Sequence, residues 1–425
     1  MLPAVGGLQQ VPRPDPIARD YILLALHLDQ HLPGLVDSYI GPRELKAQAE
    51  IGQLPPPPRL AEEAGTLRDR LGDEVSDDRR RRWLDRHLRA LQTHALLLAG
   101  EPLDYREQVR RCLDAEPVPE PAQAYADARR ALEGLLPGSG DVRSRLAAWE
   151  ERFVLPVGRL RGAVDWLLPR LCEAAAACYP IPPGESVEVR LVQNQPWSGY
   201  NWYDGGLHSR IDINIDLPVR ASHLLGVLAH ETYEGHHLEQ VSKEQRLLQE
   251  RGYLEASVML LAAPESYVSE GLAELGPRLV LRDEERRDLL VGIYRQGGLT
   301  AGAEEAERQL AVTTALGRIA GASADAALLL HGQDLPRDEV QRFLEVSGLQ
   351  TAERAAKSLE FIEHRLTRIH VFSYAGGERL LGAWCQAAGS REGARARFGR
   401  LLTEQLTPSG IAEELGRGAT TETVD

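Results

Sequence analysis

Three of the twelve histidines in this 425-residue chain stand within the segment 230–237, which reads His-Glu-Thr-Tyr-Glu-Gly-His-His. Zinc hydrolases of the His-Glu-x-x-His type use two histidines one helical turn apart as metal ligands. In such enzymes the Glu after the first His is the general base toward the water that the metal activates. The segment therefore predicts a metal-dependent hydrolase with His230 as a ligand and Glu231 as the base.

The second histidine is displaced from the usual spacing, because it stands at i+6 (His236) or i+7 (His237) instead of i+4. In a regular helix i+7 lies within about 20° of the same face but about 10.5 Å along the axis, while i+6 lies about 120° away. A bulge would bring His236 onto the face of His230, and Gly235 would ease the backbone distortion. The spacing alone leaves both histidines open as the second ligand.

A third ligand is expected from the downstream helix that carries Glu270 and Glu274. These two carboxylates are one turn apart and face the same way. One is expected to bind the metal and the other to orient a ligand histidine from behind. A nitrogen and oxygen ligand set favours a single Zn²⁺ ion and tolerates other divalent transition metals.

The remaining pattern predicts a mainly α fold with one small antiparallel sheet directly before the metal-binding helix. Alternating apolar residues indicate strands at 187–192 and 211–217, joined by a hairpin connection at 201–206. The strand at 211–217 is placed to act as an edge strand that pairs with an extended peptide. We expect a helical region 1–185 and a metal-binding catalytic region 186–425 to form one integrated fold.

The net charge of −14 argues against nucleic acid or an anionic membrane surface as a partner. No apolar run approaches the length of a membrane span, and the four cysteines form no Cys-x-x-Cys pair. The sequence also lacks the Gly-x-Ser-x-Gly of serine hydrolases and the glycine-rich dinucleotide fingerprint. These features, with no evident signal peptide, predict a cytoplasmic protein.

The segment 230–237 resembles the motif of gluzincin metallopeptidases, specifically the bacterial family named domain of unknown function 885. That family carries His-Glu-x-x-Pro-Gly-His-His followed by Glu-Gly-Trp, and this chain has Glu270-Gly-Leu at the second position. Glu234 and Leu272 replace the proline and the tryptophan. The segment 28–42 is similar to the N-terminal part of one branch of the family, and 374–377 to its Pro-Gly-Gln region.

The resemblance implies a large helical fold with a cleft, zinc-dependent hydrolysis of peptides or small amides, and Glu270 as the third ligand. Related families of the thimet-oligopeptidase and dipeptidyl-peptidase-III types place Gly directly before the second ligand, which favours His236 over His237. The resemblance also implies that a cluster of polar residues late in the sequence stabilises the oxyanion or holds a substrate carboxylate. The candidates for this role are Arg368, His370 and Tyr374.

A catalytically inactive helical protein that binds a metal or a peptide is the alternative. A purely structural zinc site closes its fourth position with protein and needs no base next to the first ligand. The presence of Glu231 therefore favours catalysis.

Overall fold

The computed structural model describes residues 15–195 and 197–421, and this part of the chain is mainly helical. The helices are Pro16–His31 (α1), Arg43–Glu50 (α2), Pro57–Glu74 (α3), Asp78–Leu98 (α4), Tyr105–Leu113 (α5), Ala122–Leu135 (α6), Val142–Glu150 (α7), Val157–Ala176 (α8), Ala221–Glu231 (α9), His236–Lys243 (α10), Pro264–Val280 (α11), Asp283–Gly297 (α12), Ala303–Gly317 (α13), Ala322–Ala327 (α14), Arg337–Val346 (α15), Ala352–Glu363 (α16), Thr367–His370 (α17), Ser373–Gln386 (α18), Arg391–Thr403 (α19) and Pro408–Thr421 (α20). The strands are Val36–Tyr39 (β1), Ser186–Val192 (β2), Gly199–Gly205 (β3), His208–Asn214 (β4) and Val258–Leu260 (β5). The predicted fold class is therefore confirmed.

The sheet before the predicted metal-binding helix has three strands within the described residues, in the order β2-β4-β3, and it is mixed. β3 and β4 form an antiparallel hairpin, whereas β2 and β4 run parallel. The prediction of a purely antiparallel sheet was wrong because 201–205 is itself strand, and the turn lies at Gly205–Leu207. Because β3 runs opposite to both β2 and β4, the chain reverses twice between β2 and β4, and these two strands pair in parallel.

β4 is the central strand and not an edge strand, which corrects the prediction for 211–217. Ile211 and Ile213 are almost completely buried, as a strand covered on its core face requires. The outer strand closer to the predicted metal helix is β3, since the side chain of Asn201 donates a hydrogen bond to the backbone oxygen of Glu231.

A second sheet that the sequence analysis did not predict pairs β1 with β5 in antiparallel fashion. Val36 opposes Leu260, so the pairing joins the segment between α1 and α2 to the chain just before α11. Four-residue and three-residue strands are too short for a recognisable alternation. This sheet brings the segment that follows α1 next to the helices of the predicted site.

Close packing of α11 on α18 depends on facing glycines. A side chain at Gly271 would overlap the backbone of Gly377, and one at Gly377 would overlap the backbone oxygen of Tyr267. Two glycines let the helix backbones approach more closely than any other residue pair would allow. This contact places the start of α18, which carries Tyr374, next to α11, which carries Glu270.

Two large clusters of buried apolar side chains stabilise the fold, and each draws on residues from both sides of position 185. One combines α6–α8 with α9, α11, α12, α18 and α19, and the other combines α1–α5 with β5, α14 and α16. The regions 1–185 and 186–425 thus share their cores. Within the described residues, no helix is long and apolar enough to cross a membrane.

Candidate metal centre

The helix that carries His230 ends one residue later, and a new helix starts at His236. Thr232 has φ −117° and ψ −119°, and Gly235 has φ −143° and ψ −128°, so neither continues the helix. The backbone distortion that the displaced histidine requires is therefore a break between two helices and not a bulge within one. A side chain at Gly235 would overlap the backbone oxygen of His230, so this position needs glycine.

The break brings His230 and His236 face to face. Their Nε2 atoms are 3.1 Å apart, and the rings meet edge to face with centroids 4.7 Å apart. Glu270 Oε2 lies 3.4 Å from His230 Nε2 and 3.7 Å from His236 Nε2. In the described part of the chain these three residues are the one group whose ligand atoms all lie within 4.8 Å of one another.

The donor atoms of this cluster fit a divalent cation. Glu270 Oε2 is buried and has no hydrogen-bond partner among the described residues, although it points between the two Nε2 atoms. A buried carboxylate oxygen without a partner is costly, and a cation bound by the three atoms would remove that cost. Two imidazole nitrogens and one carboxylate oxygen are a typical set for catalytic zinc, which keeps a fourth position open.

The three histidines around Glu270 also control its charge. Burial by itself raises the pKa of Glu270, but His230, His236 and His370 outweigh it and hold the pKa well below its ordinary value. Glu270 is therefore ionised in the folded protein, as a metal ligand must be.

His237 belongs to a separate buried network. Its Nδ1 lies 2.8 Å from Ser209 Oγ on β4, and its Nε2 lies 2.8 Å from Glu185 Oε2. Both ring nitrogens are thus engaged away from His230. The geometry brings His236 to the cluster and leaves His237 behind it.

Glu274, the other carboxylate of the predicted pair, lies on the Nδ1 side of His230. Its Oε1 is 3.6 Å from His230 Nδ1, on the opposite side of the ring from Glu270. A carboxylate in that position orients a ligand histidine and favours the tautomer whose Nε2 faces the cation.

Glu231 is only 8% exposed, and its carboxylate has no hydrogen bond or ion pair within the described residues. Its Oε1 lies next to Gly199 on β3, where any side chain would also overlap Val227. Burial raises the pKa of Glu231, with partial compensation by His230 and His236. A carboxylate without a competing partner next to two histidines can accept a proton from a bound water.

The structure brings two of the three late candidates to the cluster. His370 Nε2 lies 3.2 Å from Glu270 Oε1, and the rings of His370 and Tyr374 are 5.2 Å apart. The hydroxyl of Tyr374 has no hydrogen bond within the described residues, and burial together with the nearby carboxylate of Glu270 raises its pKa well above the ordinary value. Tyr374 therefore stays protonated and can donate a hydrogen bond.

Arg368 is not brought to the cluster. Its guanidinium donates a hydrogen bond of 2.7 Å to Gln108 Oε1, and its backbone oxygen accepts one from Tyr105. Positions 368 and 370 are two residues apart on α17, which places them about 200° apart around the helix axis. One short helix therefore cannot direct both side chains to the same cluster.

Asp37 and Tyr200 also lie near the cluster, although neither was predicted from the sequence as a candidate site residue. The hydroxyl of Tyr200 on β3 donates a hydrogen bond to Asp37 Oδ1 on β1. Burial raises the pKa of Asp37, and the hydrogen bond from Tyr200 and the nearby His370 and His236 offset part of that rise. The one available signal was that Asp37 lies in the segment 28–42 that resembles the family; no local pattern marks Tyr200.

No family model matches the chain, and no curated protein matches it. Among solved structures, the chain is similar to "the putative lipoprotein from Colwellia psychrerythraea", at 14% identity and a TM-score of 0.52 over 97% of this chain and 78% of that one. At this identity the similarity shows the fold alone.

Two carboxypeptidases are also similar over nearly their full length. The M32 carboxypeptidase from Deinococcus radiodurans R1 has 14% identity and a TM-score of 0.39 over 96% of this chain and 94% of that one. Metallocarboxypeptidase 1 from Trypanosoma cruzi has 13% identity and a TM-score of 0.40 over 95% of this chain and 99% of that one. Similarity at this level carries no argument about the function of this chain.

Proposed function

We propose that this protein is a zinc-dependent hydrolase that cleaves peptides or small amides. The observation that carries the proposal is the convergence of His230 Nε2, His236 Nε2 and the unpartnered Glu270 Oε2 on one point. The unpartnered carboxylate of Glu231, one residue from the first ligand, supports a catalytic role over a structural one.

His230, His236 and Glu270 would hold the ion, and Glu274 would orient His230 from behind. Zinc supplies Lewis-acid chemistry, which lowers the pKa of a coordinated water and polarises a substrate carbonyl. The same ligand set accepts other divalent transition metals. Three protein ligands leave room for water and substrate.

Glu231 would take the proton from the attacking water and pass it to the leaving amine. Its carboxylate is buried and unpaired, so no competing cation or donor in the described residues ties up the oxygens. Burial raises its pKa, which brings a carboxylate closer to the range where proton transfer at neutral pH is efficient.

Tyr374 and His370 would contribute on the substrate side. The free hydroxyl of Tyr374 is a suitable donor to the oxygen that becomes negative as the carbonyl is attacked. His370 contacts Glu270 Oε1 and packs against the ring of Tyr374, so it positions both. Arg368, which the sequence analysis also included, would need to leave Gln108 to reach a substrate carboxylate.

An extended substrate would lie along β3. This strand is an outer strand of the sheet, and Gly199 at its start lies next to Glu231. A peptide that adds to the free edge gains backbone hydrogen bonds, while its side chains alternate between the two faces.

The decisive experiment compares metal content and peptide cleavage for wild type, Glu231→Gln and Glu234→Gln. Wild type is expected to bind about one zinc per chain and to cleave members of a peptide library read by mass spectrometry. Glu231→Gln should keep the zinc and lose at least about 100-fold in turnover, because the general base is removed. Glu234 is the matched control, because it is also a buried glutamate without a side-chain partner in the described residues.

Glu234→Gln should keep both the zinc and the activity. Near-normal cleavage by Glu231→Gln would refute its role as the base. A wild type that binds zinc but cleaves nothing in the library would favour the inactive metal-binding or peptide-binding protein.

A further inference from the structure

A continuous buried network of side chains contacts His236 on the Nδ1 side of its ring, away from His230. His236 Nδ1 lies 3.1 Å from Ser269 Oγ, and Ser269 donates a hydrogen bond of 2.5 Å to Glu239 Oε2. Lys243 Nζ donates to Glu239 Oε1 at 2.7 Å and to Glu265 Oε1 at 2.8 Å. Ser269 and Glu239 are completely buried.

The donors and acceptors in this network determine whether Nδ1 of His236 carries a proton. The ammonium of Lys243 neutralises Glu239, so this carboxylate is ionised and can only accept hydrogen bonds. The hydroxyl hydrogen of Ser269 therefore points to Glu239. Ser269 Oγ can then interact with His236 only as an acceptor, which requires a proton on His236 Nδ1. Nε2 is left as the nitrogen that faces the cluster.

The network also joins the two helices that supply ligands. Glu239 and Lys243 lie on α10 behind His236, whereas Glu265 and Ser269 lie on α11 before Glu270. At the far end, the backbone N–H of Glu265 donates to His87 Nε2 on α4. A buried lysine that holds one carboxylate from each helix fixes their relative position, because separating them would leave unpaired charges in the core.

We propose that Ser269 and Glu239, with Lys243 as the counter-ion, are positioning residues that hold His236 in the metal-binding tautomer and orientation. The inference rests on the proposed function, since it concerns how the same site binds its metal. These residues touch neither metal nor substrate, and they act through His236.

The neighbouring histidine provides a matched control. His237 Nδ1 lies 2.8 Å from Ser209 Oγ, and Ser209 is also completely buried. Ser209→Ala and Ser269→Ala each remove one buried hydroxyl from the Nδ1 side of one histidine. Only Ser269 serves the histidine that faces the cluster.

The first test measures zinc affinity by competition with a chelator in full-length protein, together with thermal unfolding. Ser269→Ala and Glu239→Gln should each weaken zinc binding by about 10- to 100-fold, the usual effect of removing a residue that orients a ligand. Ser209→Ala should lower thermal stability by a similar amount and leave the zinc affinity within about twofold. Equal zinc affinity in all three variants and wild type would overturn the inference.

The second test detects the proton on His236 Nδ1 directly in the wild type. Its main result therefore does not depend on whether a variant folds. With ¹⁵N-labelled histidine, His236 Nδ1 should carry a slowly exchanging proton with and without zinc, and Ser269→Ala should make its exchange fast. An unprotonated His236 Nδ1 would overturn the inference even if zinc binds.

The two tests separate this inference from the proposed function. A wild type that binds no zinc refutes the proposed function, and the Nδ1 signal still decides whether the network holds His236. A wild type that binds zinc with an affinity independent of Ser269 and Glu239 refutes only the inference.

Discussion

The side chain of Tyr374 carries a hydroxyl near the cluster that has no hydrogen bond within the described residues. Tyr200 donates its hydroxyl to Asp37, and Ser269 donates to Glu239. The ring of Tyr374 packs edge to face on His370, and its pKa is raised by burial and by nearby carboxylates. At the residue scale, Tyr374 is therefore the proposed donor to the developing negative charge.

Tyr374→Phe is expected to lower kcat by about 100-fold with little change in KM, because the lost hydrogen bond forms only in the transition state. Steady-state kinetics on a peptide identified from the library measure both constants. Tyr105→Phe is the control, since it removes another buried hydroxyl, the one that donates to the backbone oxygen of Arg368. A rise in KM with unchanged kcat in Tyr374→Phe would instead indicate a role in substrate binding.

At the scale of elements, the break between α9 and α10 decides which histidine faces His230. A continuous helix would place His236 on another face, whereas the break turns α10 so that the two rings meet. Gly235 permits this path because its backbone lies against the carbonyl of His230. The element boundary is thus part of the proposed metal centre.

Gly235→Ala is expected to abolish stoichiometric zinc binding and to destabilise the protein by about 1–3 kcal/mol, because the added methyl group overlaps the backbone oxygen of His230. Gly226→Ala on α9 is the control. A side chain there meets nothing within 4 Å, and alanine in an exposed helix interior should stabilise by about 0.5–1 kcal/mol. Zinc titration and urea unfolding measure both effects, and a Gly235→Ala protein with normal zinc content would contradict the role of the break.

At the scale of the whole molecule, α4 connects the N-terminal helices to the site helices through two buried histidines. His94 Nε2 bonds to the backbone oxygen of Ala262, directly before α11, and His87 Nε2 accepts from the backbone of Glu265. Burial lowers the pKa of His87 to about 3 and that of His94 to about 4. Both are neutral in the folded protein near pH 7.

Stability should therefore fall on mild acidification. Unfolded histidine binds a proton as the pH drops below its ordinary pKa of about 6.5, whereas folded His87 and His94 do not until the pH nears their lowered values. The contribution of the two neutral histidines to the free energy of unfolding is fully present well above a pH of about 6.5. At pH 5.5 each of them should lower the free energy of unfolding by about 1.4 kcal/mol. Urea unfolding at pH 8 and at pH 5.5 measures this change in the free energy of unfolding. Between the two pH values, His94→Gln should lose about 1.4 kcal/mol less than the wild type does. An unchanged pH dependence in His94→Gln would contradict the assignment.

The sequence alone was sufficient to predict the helical class and to select His230, Glu231, His236 and Glu270 as candidates. The helical class, His230 and Glu231 depend on short-range information, namely helical periodicity and the His-Glu dipeptide. The choice of His236 over His237 and of Glu270 as third ligand came instead from the resemblance to short motifs of known families. Such features are properties of a few consecutive residues, so they can be read without knowing the path of the chain.

Only the tertiary structure decided which distant residues meet. Tyr200 bonds to Asp37 from 163 residues away, β4 is central because β3 folds back on it, and Arg368 turns to Gln108. The network behind His236 likewise joins residues of two helices that no local pattern connects. Long-range contacts of this kind are set by how the two buried cores pack and by which buried polar groups find partners, and both depend on the whole chain at once.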